Sequence, residues 1–417
     1  MHESLNAAEL SVPAQKIPDA PQYGQATLSE ILPSAATALG VPGFSNALGL
    51  QPTRRVVVIM VDGLGWNQLK SHVGHAPFLR SLFAEGRKLG TGFPSTTATS
   101  LSSLATGVTP GEHGMLGYDV VDPARRRVVN QLGGWPSDLN PEAWQTRPTV
   151  FEKVAEHGIH VATVSIPMFA KSALTRASLR GPKFVAANQP LARARATHTV
   201  FESQRNALVY TYFNELDKTG HKFGVDSSQW RDTLEELDYV IKSLVSRLPE
   251  ETTVLITGDH GMVDVPESRR IDYSRYPELV DGVELTSGEP RGVQLTFAPG
   301  TDETSRLKVK HAWHKEFGSK AWILTRQEAI DRGYFGPITP EHEARLGDLM
   351  ILAAESIAFY DGRRVAPMAF EMVGQHGSLT SGGAIRSAAG ASNQIENAIG
   401  QHLQVLPDRI QARLVPD

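Results

Sequence analysis

Six consecutive apolar residues, Val56-Val57-Val58-Ile59-Met60-Val61, run straight into Asp62-Gly63-Leu64-Gly65, and this stretch constrains the chain more than any other. A membrane helix needs about twenty such residues. The run is therefore a strand, and its unbroken apolarity means that both faces are covered, as in a parallel sheet packed between helices. His160 to Ile166, Ala207 to Phe213 and Thr253 to Thr257 read as further strands. Between the last two, Trp230, Leu234, Leu237, Val240, Ile241, Leu244, Val245 and Leu248 recur at helical spacing, with caps at Asp226 to Ser228 and a stop at Pro249. Strand, helix, strand in that order implies right-handed crossovers and a parallel sheet.

At 417 residues the chain suits one large α/β domain with an insertion, or two domains. The expected division has four parts. Residues 1–53 form an extension packing on the core, and 54–266 hold the catalytic α/β part. Residues 267–345, with scattered Pro, Gly and charge, read as an inserted lid or cap. Residues 346–417 return to the core, then pass through a Gly/Ser-rich exposed segment (Gly377 to Ser392) to a short amphipathic tail.

Composition removes several functions. With 41 Lys+Arg against 45 Asp+Glu the chain lacks the basic excess that a nucleic-acid polymer requires. It has no cysteine, which excludes disulfides, thiolate zinc sites, iron–sulfur clusters and a cysteine nucleophile. Any metal must be held by His, Asp and Glu. Residues 1–53 carry one lysine against Glu3, Glu9, Asp19 and Glu30 and no signal-peptide core, so a soluble, cytoplasmic protein without a membrane partner is expected.

In an open α/β sheet, ligands bind beyond the carboxyl ends of the strands. Four groups of chemical residues fall there: Asp62, the pair Asp217 and His221, the pair Asp259-His260, and His376 within Val373-Gly374-Gln375-His376-Gly377. Each alone has a bland reading as a turn, a cap or a surface residue. Together, three carboxylates and three imidazoles flanked by glycines suit two zinc-like ions, three ligands to each. A second constellation, Phe93-Pro94-Ser95-Thr96-Thr97-Ala98-Thr99-Ser100, opens a helix that Thr106-Gly107 ends. Its hydroxyls sit where free N–H groups favour phosphate. A threonine hydroxyl is a poor nucleophile unless a metal or a base activates it, and Thr96, Thr97 and Thr99 all remain candidates on this ground. Other features read as structural: His311 and His314 as surface residues, Arg125-Arg126-Arg127 as a solvated turn, and Glu112-His113-Gly114 as a turn. Asp348 is either a strand-edge residue or a partner to a zinc-bound histidine.

The ordered set Val-Asp62-Gly-Leu-Gly, Phe-Pro94-Ser-Thr-Thr97-Ala-Thr, Thr106-Gly-Val-Thr-Pro-Gly-Glu-His113-Gly, Leu-Asp217-Lys-Thr-Gly-His221, Thr-Gly-Asp259-His260-Gly-Met and Gly-Gln-His376-Gly resembles the alkaline phosphatase superfamily, most of all its type I phosphodiesterase and nucleotide pyrophosphatase branch. The resemblance spans Arg55 to Leu379. It implies a doubly wound α/β fold, with a mostly parallel central sheet and helices on both faces, and a site for two divalent ions, zinc first with manganese as the alternative. Carried over by motif, Asp62, Asp259 and His260 would hold one ion together with the nucleophile Thr97, the third residue after Pro94. Asp217, His221 and His376 would hold the other. The implied reaction cleaves a phosphodiester or pyrophosphate bond of a nucleotide-like or other small phosphate ester through a phosphothreonine. Alternatives are a phosphomonoesterase or phosphonate hydrolase on the same scaffold, or a binding protein that keeps the fold; the oligomeric state stays open. Two departures stand out. Gly117-Tyr118 replaces the asparagine that many nucleotide pyrophosphatases place against the phosphoryl group, which makes Tyr118 a candidate substrate contact, and the Gly/Ser-rich sequence after His376 breaks the usual continuation.

Overall fold

A computed structural model describes residues 16–83, 86–380 and 401–404. The first fifteen residues, most of the Gly/Ser-rich segment and all of the tail except 401–404 lie outside the described residues; at the start of that segment, read as exposed, residues 377–379 are buried.

The apolar runs build a seven-stranded sheet in the order Arg87–Leu89, Gln401–Gln404, Thr252–Thr257, Arg55–Val61, Ala207–Phe213, His160–Ser165, Lys183–Ala186. The last five strands are mutually parallel, whereas Gln401–Gln404 is antiparallel to both of its neighbours. Side chains of the Arg55–Val61 strand alternate between two cores, as a pleat demands. Val56, Val58 and Met60 meet Leu32, Leu101, Leu104 and Phe151 on one face. Val57, Ile59 and Val61 meet Leu69, Phe201, Trp230, Leu234 and Leu237 on the other. Helices thus cover both faces in a doubly wound α/β fold, and each fully buried Val or Ile stabilises it by roughly 1.5–3 kcal/mol before entropy is counted. The amphipathic helix read between two strands is Ser228–Val245, and its N-cap is Ser227, whose side chain accepts the Trp230 N–H.

A second, six-stranded antiparallel sheet runs in the order Ala321–Thr325, Leu349–Ala353, Gly292–Phe297, Val283–Glu289, Asp119–Asp122, Arg127–Asn130. Segment 267–345 contributes three of these strands, and the others come from the chain on either side of it. The helix Glu303–Phe317 covers one face with Val309, Trp313 and Phe317. His311 and His314 lie on this helix and join no group of potential metal ligands among the described residues. Asp348 accepts the Phe297 N–H and pairs with Arg306 and Arg326, so it ties down an edge of this sheet. Arg125, Arg126 and Arg127 are all paired, with Asp122, Asp138 and Glu284.

Candidate metal centre

Three neighbouring parallel strands end side by side: Thr252–Thr257, Arg55–Val61 and Ala207–Phe213. Just beyond their carboxyl ends come Asp259 and His260, Asp62, and the helix Glu215–Phe223. On that helix Asp217 and His221 are four residues apart, so they share one face. The turn after Asp62 needs its glycine. Gly63 has φ +75° and lies so close to Asp217 that an added Cβ would be 2.9 Å from the Asp217 Cα. Its N–H donates to Asp259 Oδ1 at 3.1 Å.

The hydroxyl run opens the helix Thr97–Thr106, which Gly107 closes in a left-handed conformation. Thr96 is the N-cap residue, but its side chain makes no capping hydrogen bond. Thr99 is fully buried with no partner for its hydroxyl. Thr97 is the threonine whose hydroxyl meets the centre, with Oγ1 3.0 Å from His260 Nε2. His260 Nε2 also lies 3.3 Å from Asp62 Oδ1, 3.7 Å from Asp259 Oδ2 and 4.0 Å from Asp217 Oδ1. On the other side, His221 Nε2 lies 3.4 Å from Asp217 Oδ1, and the His376 ring is stacked on His260 with centroids 3.7 Å apart. Two sets of ligand atoms fall within 4.8 Å of one another: Asp217, His221 and His376, and Asp62, Asp217 and His260. Asp217 therefore lies between the two, and Asp259 adjoins the second through His260.

The donor set fits cations. Nδ1 of each imidazole faces an acceptor that fixes the proton there: the Gly374 carbonyl at 2.8 Å for His221, the Gly261 carbonyl at 3.2 Å for His260, and the Ser95 carbonyl at 3.1 Å for His376. Each Nε2 then carries a lone pair. Asp62 Oδ1, Asp217 Oδ1 and Asp259 Oδ2 are buried acceptors without a hydrogen-bond partner. Several lone pairs converge on one buried place where Thr97 is the donor, an arrangement that costs free energy until a positive charge satisfies it. The ionisation of these groups records the same strain. Burial, then the charges of Asp217 and Asp259, hold the Asp62 carboxyl well above its ordinary range. Asp259 is raised to about 6 by burial and by Asp217. Burial and the neighbouring imidazoles push His260 well down, and burial also lowers His221.

Two residues close to the ligands carry no sequence signal. The Tyr212 hydroxyl donates to Asp62 Oδ2, which leaves Oδ1 as the oxygen facing the centre. Glu289, at the end of the Val283–Glu289 strand, places Oε2 3.3 Å from His376 Nδ1. An aromatic residue at the end of a buried strand reads as core, and Glu289 falls in a stretch without a motif. Tyr118 is 39% exposed. Partial burial, then the Asp119 and Glu289 charges, raise its pKa against a hydrogen bond with Asn130, so its hydroxyl stays protonated at neutral pH. His113 packs against the Thr97–Thr106 helix, where Nε2 is 2.9 Å from Ser103 Oγ and Nδ1 accepts the Met115 N–H at 3.0 Å. It is a structural residue.

The sequence matches the family model for type I phosphodiesterase / nucleotide pyrophosphatase over residues 56–379. Ectonucleotide pyrophosphatase/phosphodiesterase family member 7 of Rattus norvegicus is 24% identical over 250 residues, which cover 55% of this chain and 55% of that protein. The chain spans about half the length of the curated relatives it matches. Among solved structures, murine ectonucleotide pyrophosphatase / phosphodiesterase 5, an inactive threonine-to-alanine variant in complex with AMP, superposes with a TM-score of 0.59 at 17% identity, covering 78% of this chain and 84% of that one. Phosphonoacetate hydrolase from Sinorhizobium meliloti 1021 superposes with a TM-score of 0.62 at 16% identity, covering 86% of this chain and 93% of that one.

Proposed function

The chain belongs to the type I phosphodiesterase / nucleotide pyrophosphatase family, and on that premise we propose that it hydrolyses phosphodiester or pyrophosphate bonds of a nucleotide-like or other small phosphate ester, with Thr97 as nucleophile in a centre for two divalent ions. The observation that carries this reading is the Thr97 hydroxyl at a helix N-terminus, 3.0 Å from His260 Nε2 and surrounded by unpartnered carboxylate oxygens. Asp62, Asp259, His260 and Thr97 would hold one ion; Asp217, His221 and His376 would hold the other. Two such ions supply Lewis acidity, which lowers the pKa of an oxygen they bind and offsets charge on the attacking and leaving oxygens.

The protein contributes placement. The Thr97 oxygen lies 3.0 Å from His260 Nε2, so an ion held by that nitrogen would also be met by Thr97, whose oxygen keeps a lone pair free to face phosphorus. The first N–H groups of the Thr97–Thr106 helix have no partner within it and favour the non-bridging phosphoryl oxygens. Attack forms a Thr97 Oγ–P bond as the hydroxyl loses its proton and breaks the bond to the leaving oxygen, which takes up one proton, so that the threonine's proton is in net terms passed to the leaving group. Water then cleaves the phosphothreonine from the opposite side and restores the hydroxyl. The AMP bound by the murine relative's inactive threonine-to-alanine variant supports both the nucleophile and the substrate class. Tyr118 would donate a hydrogen bond to the substrate.

The test is metal content together with turnover of bis-p-nitrophenyl phosphate and p-nitrophenyl phosphate, for wild type, Thr97→Ala and Asp259→Asn. Two metals per chain, diester preferred, and both variants inactive is the expected result. Activity persisting in Thr97→Ala would move the nucleophile elsewhere. A monoester preference would favour the phosphomonoesterase reading.

A further inference from the structure

We propose that Glu289 is the positioning residue for His376: a buried carboxylate, delivered by the second sheet, that holds the imidazole proton on Nδ1 and turns Nε2 toward the metal centre. The proposal rests on the two-metal reading above.

Three observations carry it. First, Glu289 is 4% exposed, its Oε2 is 3.3 Å from His376 Nδ1, and its Oε1 has no hydrogen-bond partner. A buried carboxylate is costly unless a donor or cation compensates it, and the His376 N–H is the donor at hand. Second, the backbone has given way to allow this approach. Gly377 has φ +102°, and a Cβ there would lie 2.3 Å from Glu289 Oε2, so any larger residue would drive the carboxylate off the ring. Third, the surrounding loop is gripped by the same part of the second sheet. The hairpin pairs Glu289 with Gly292, and Arg291 in its turn donates to the Thr380 hydroxyl at 2.8 Å while also binding the Glu355 and Ile357 carbonyls. Ser378 donates to the Ala353 carbonyl at 2.6 Å. Of the six Asp and His ligands, five follow the ends of central-sheet strands; His376 alone depends on the other sheet for its setting.

Metal-bound histidines commonly give their second ring N–H to a carboxylate or a carbonyl, and loss of that partner typically weakens metal binding 10- to 100-fold. Here Glu289 shares Nδ1 with the Ser95 carbonyl at 3.1 Å. Both are acceptors, so they fix the same tautomer, and the carboxylate adds negative charge that makes Nε2 a better donor.

The experiment measures affinity for each of two Zn²⁺ ions by chelator competition, and the visible spectrum of the Co²⁺-substituted protein, in wild type, Glu289→Ala, Glu289→Gln and His376→Ala. Glu289→Ala is expected to weaken one metal about 10- to 100-fold and leave the other unchanged, with an altered Co²⁺ spectrum. Glu289→Gln, which keeps an acceptor without the charge, is expected to weaken the same metal several-fold, and it carries the test if the alanine variant does not fold. Wild-type affinity for both metals in the Glu289 variants, beside loss of one metal in His376→Ala, overturns the role of Glu289 and spares the two-metal reading. Equal weakening of both metals, with a lower melting temperature of the metal-free chain, assigns Glu289 a purely structural part and also overturns it. Two metals still bound at wild-type affinity in His376→Ala removes His376 from the ligands and overturns this inference, whereas fewer than two ions bound by the wild type overturns the two-metal reading.

Discussion

Gly63 and His113 show how much a single position can hold. Gly63 combines a left-handed φ with backbone contact to Asp217, so Gly63→Ala incurs both conformational strain and a clash between two ligand-bearing segments. The expected cost is about 1–3 kcal/mol in urea unfolding of the metal-free chain, together with weaker metal binding; unchanged stability and affinity would contradict the geometry. His113 is lowered to about 3, by burial first and then by His342, Arg345 and Arg147. A depressed folded value means that the folded state binds fewer protons than the unfolded one below pH 6.5, so stability present at neutral pH is lost as pH falls from there toward 3. Protonation would also take away the acceptor for the Met115 N–H. The whole displacement is worth on the order of 5 kcal/mol, and the acid limb of unfolding free energy in His113→Gln should be flatter by that order. Asp62 and Asp259 act with the opposite sign in the metal-free chain, because their raised values favour folding at low pH and disfavour it as pH rises through about 6 for Asp259. At this scale the candidate ligands that the structure brings together were legible because each belongs to a short glycine-containing motif. Tyr212 and Glu289 were not, since nothing in sequence separates a buried tyrosine or glutamate that touches a ligand from one that packs in a core.

The elements differ in how openly they declare themselves. Unbroken β-branched runs such as Arg55–Val61 and Ala207–Phe213 announce strands covered on both faces, and the helix Ser228–Val245 shows its period and its cap. The antiparallel sheet is harder to read, because several of its strands are short and the pairing of Val283–Glu289 slips between Val283 and Leu285, which breaks the two-residue period. The helix Glu215–Phe223, whose sequence also suits a polar loop, is held by contacts distant in sequence. Fully buried Arg193 pairs with Glu215 in its first turn, donates to the Asn188 carbonyl at 3.1 Å and lies over the Phe213 ring. Glu215→Ala would strand that guanidinium without a counter-charge. Because Glu215 is itself partly exposed, the expected loss is about 3 kcal/mol, at the low end for a broken buried pair. Replacing Arg193 and Glu215 together with Met and Gln should cost less than Glu215→Ala alone. Chemical denaturation of the three proteins checks the ordering, and a double variant less stable than the single one would refute it.

For the molecule as a whole, the candidate metal centre is a junction. Five of its six candidate Asp and His ligands follow three adjacent strand ends of one sheet, while the loop bearing His376 is fastened to the other sheet through Arg291, Ser378 and Glu289. Without cations, the unpartnered oxygens of Asp62, Asp217 and Asp259 oppose one another at this junction. Filling it should therefore stabilise the entire fold, beyond its effect on the reaction. A ligand present at a hundred times its dissociation constant stabilises the native state by about 2.7 kcal/mol, so two ions contribute on the order of 5 kcal/mol. Treatment with a chelator is expected to lower the melting temperature and abolish turnover in the same concentration range. Adding Zn²⁺ or Mn²⁺ should restore both, with the melting temperature rising until two ions per chain are bound. Asp217→Asn is the informative variant, because Asp217 is assigned to the ion of His221 and His376 yet lies in both sets of ligand atoms; its loss, like that of His221 in His221→Ala, should weaken one ion. Calorimetric titration of the two variants decides the matter: two weakened sites in Asp217→Asn would place that carboxylate between the ions, and a melting temperature indifferent to metal would remove the junction.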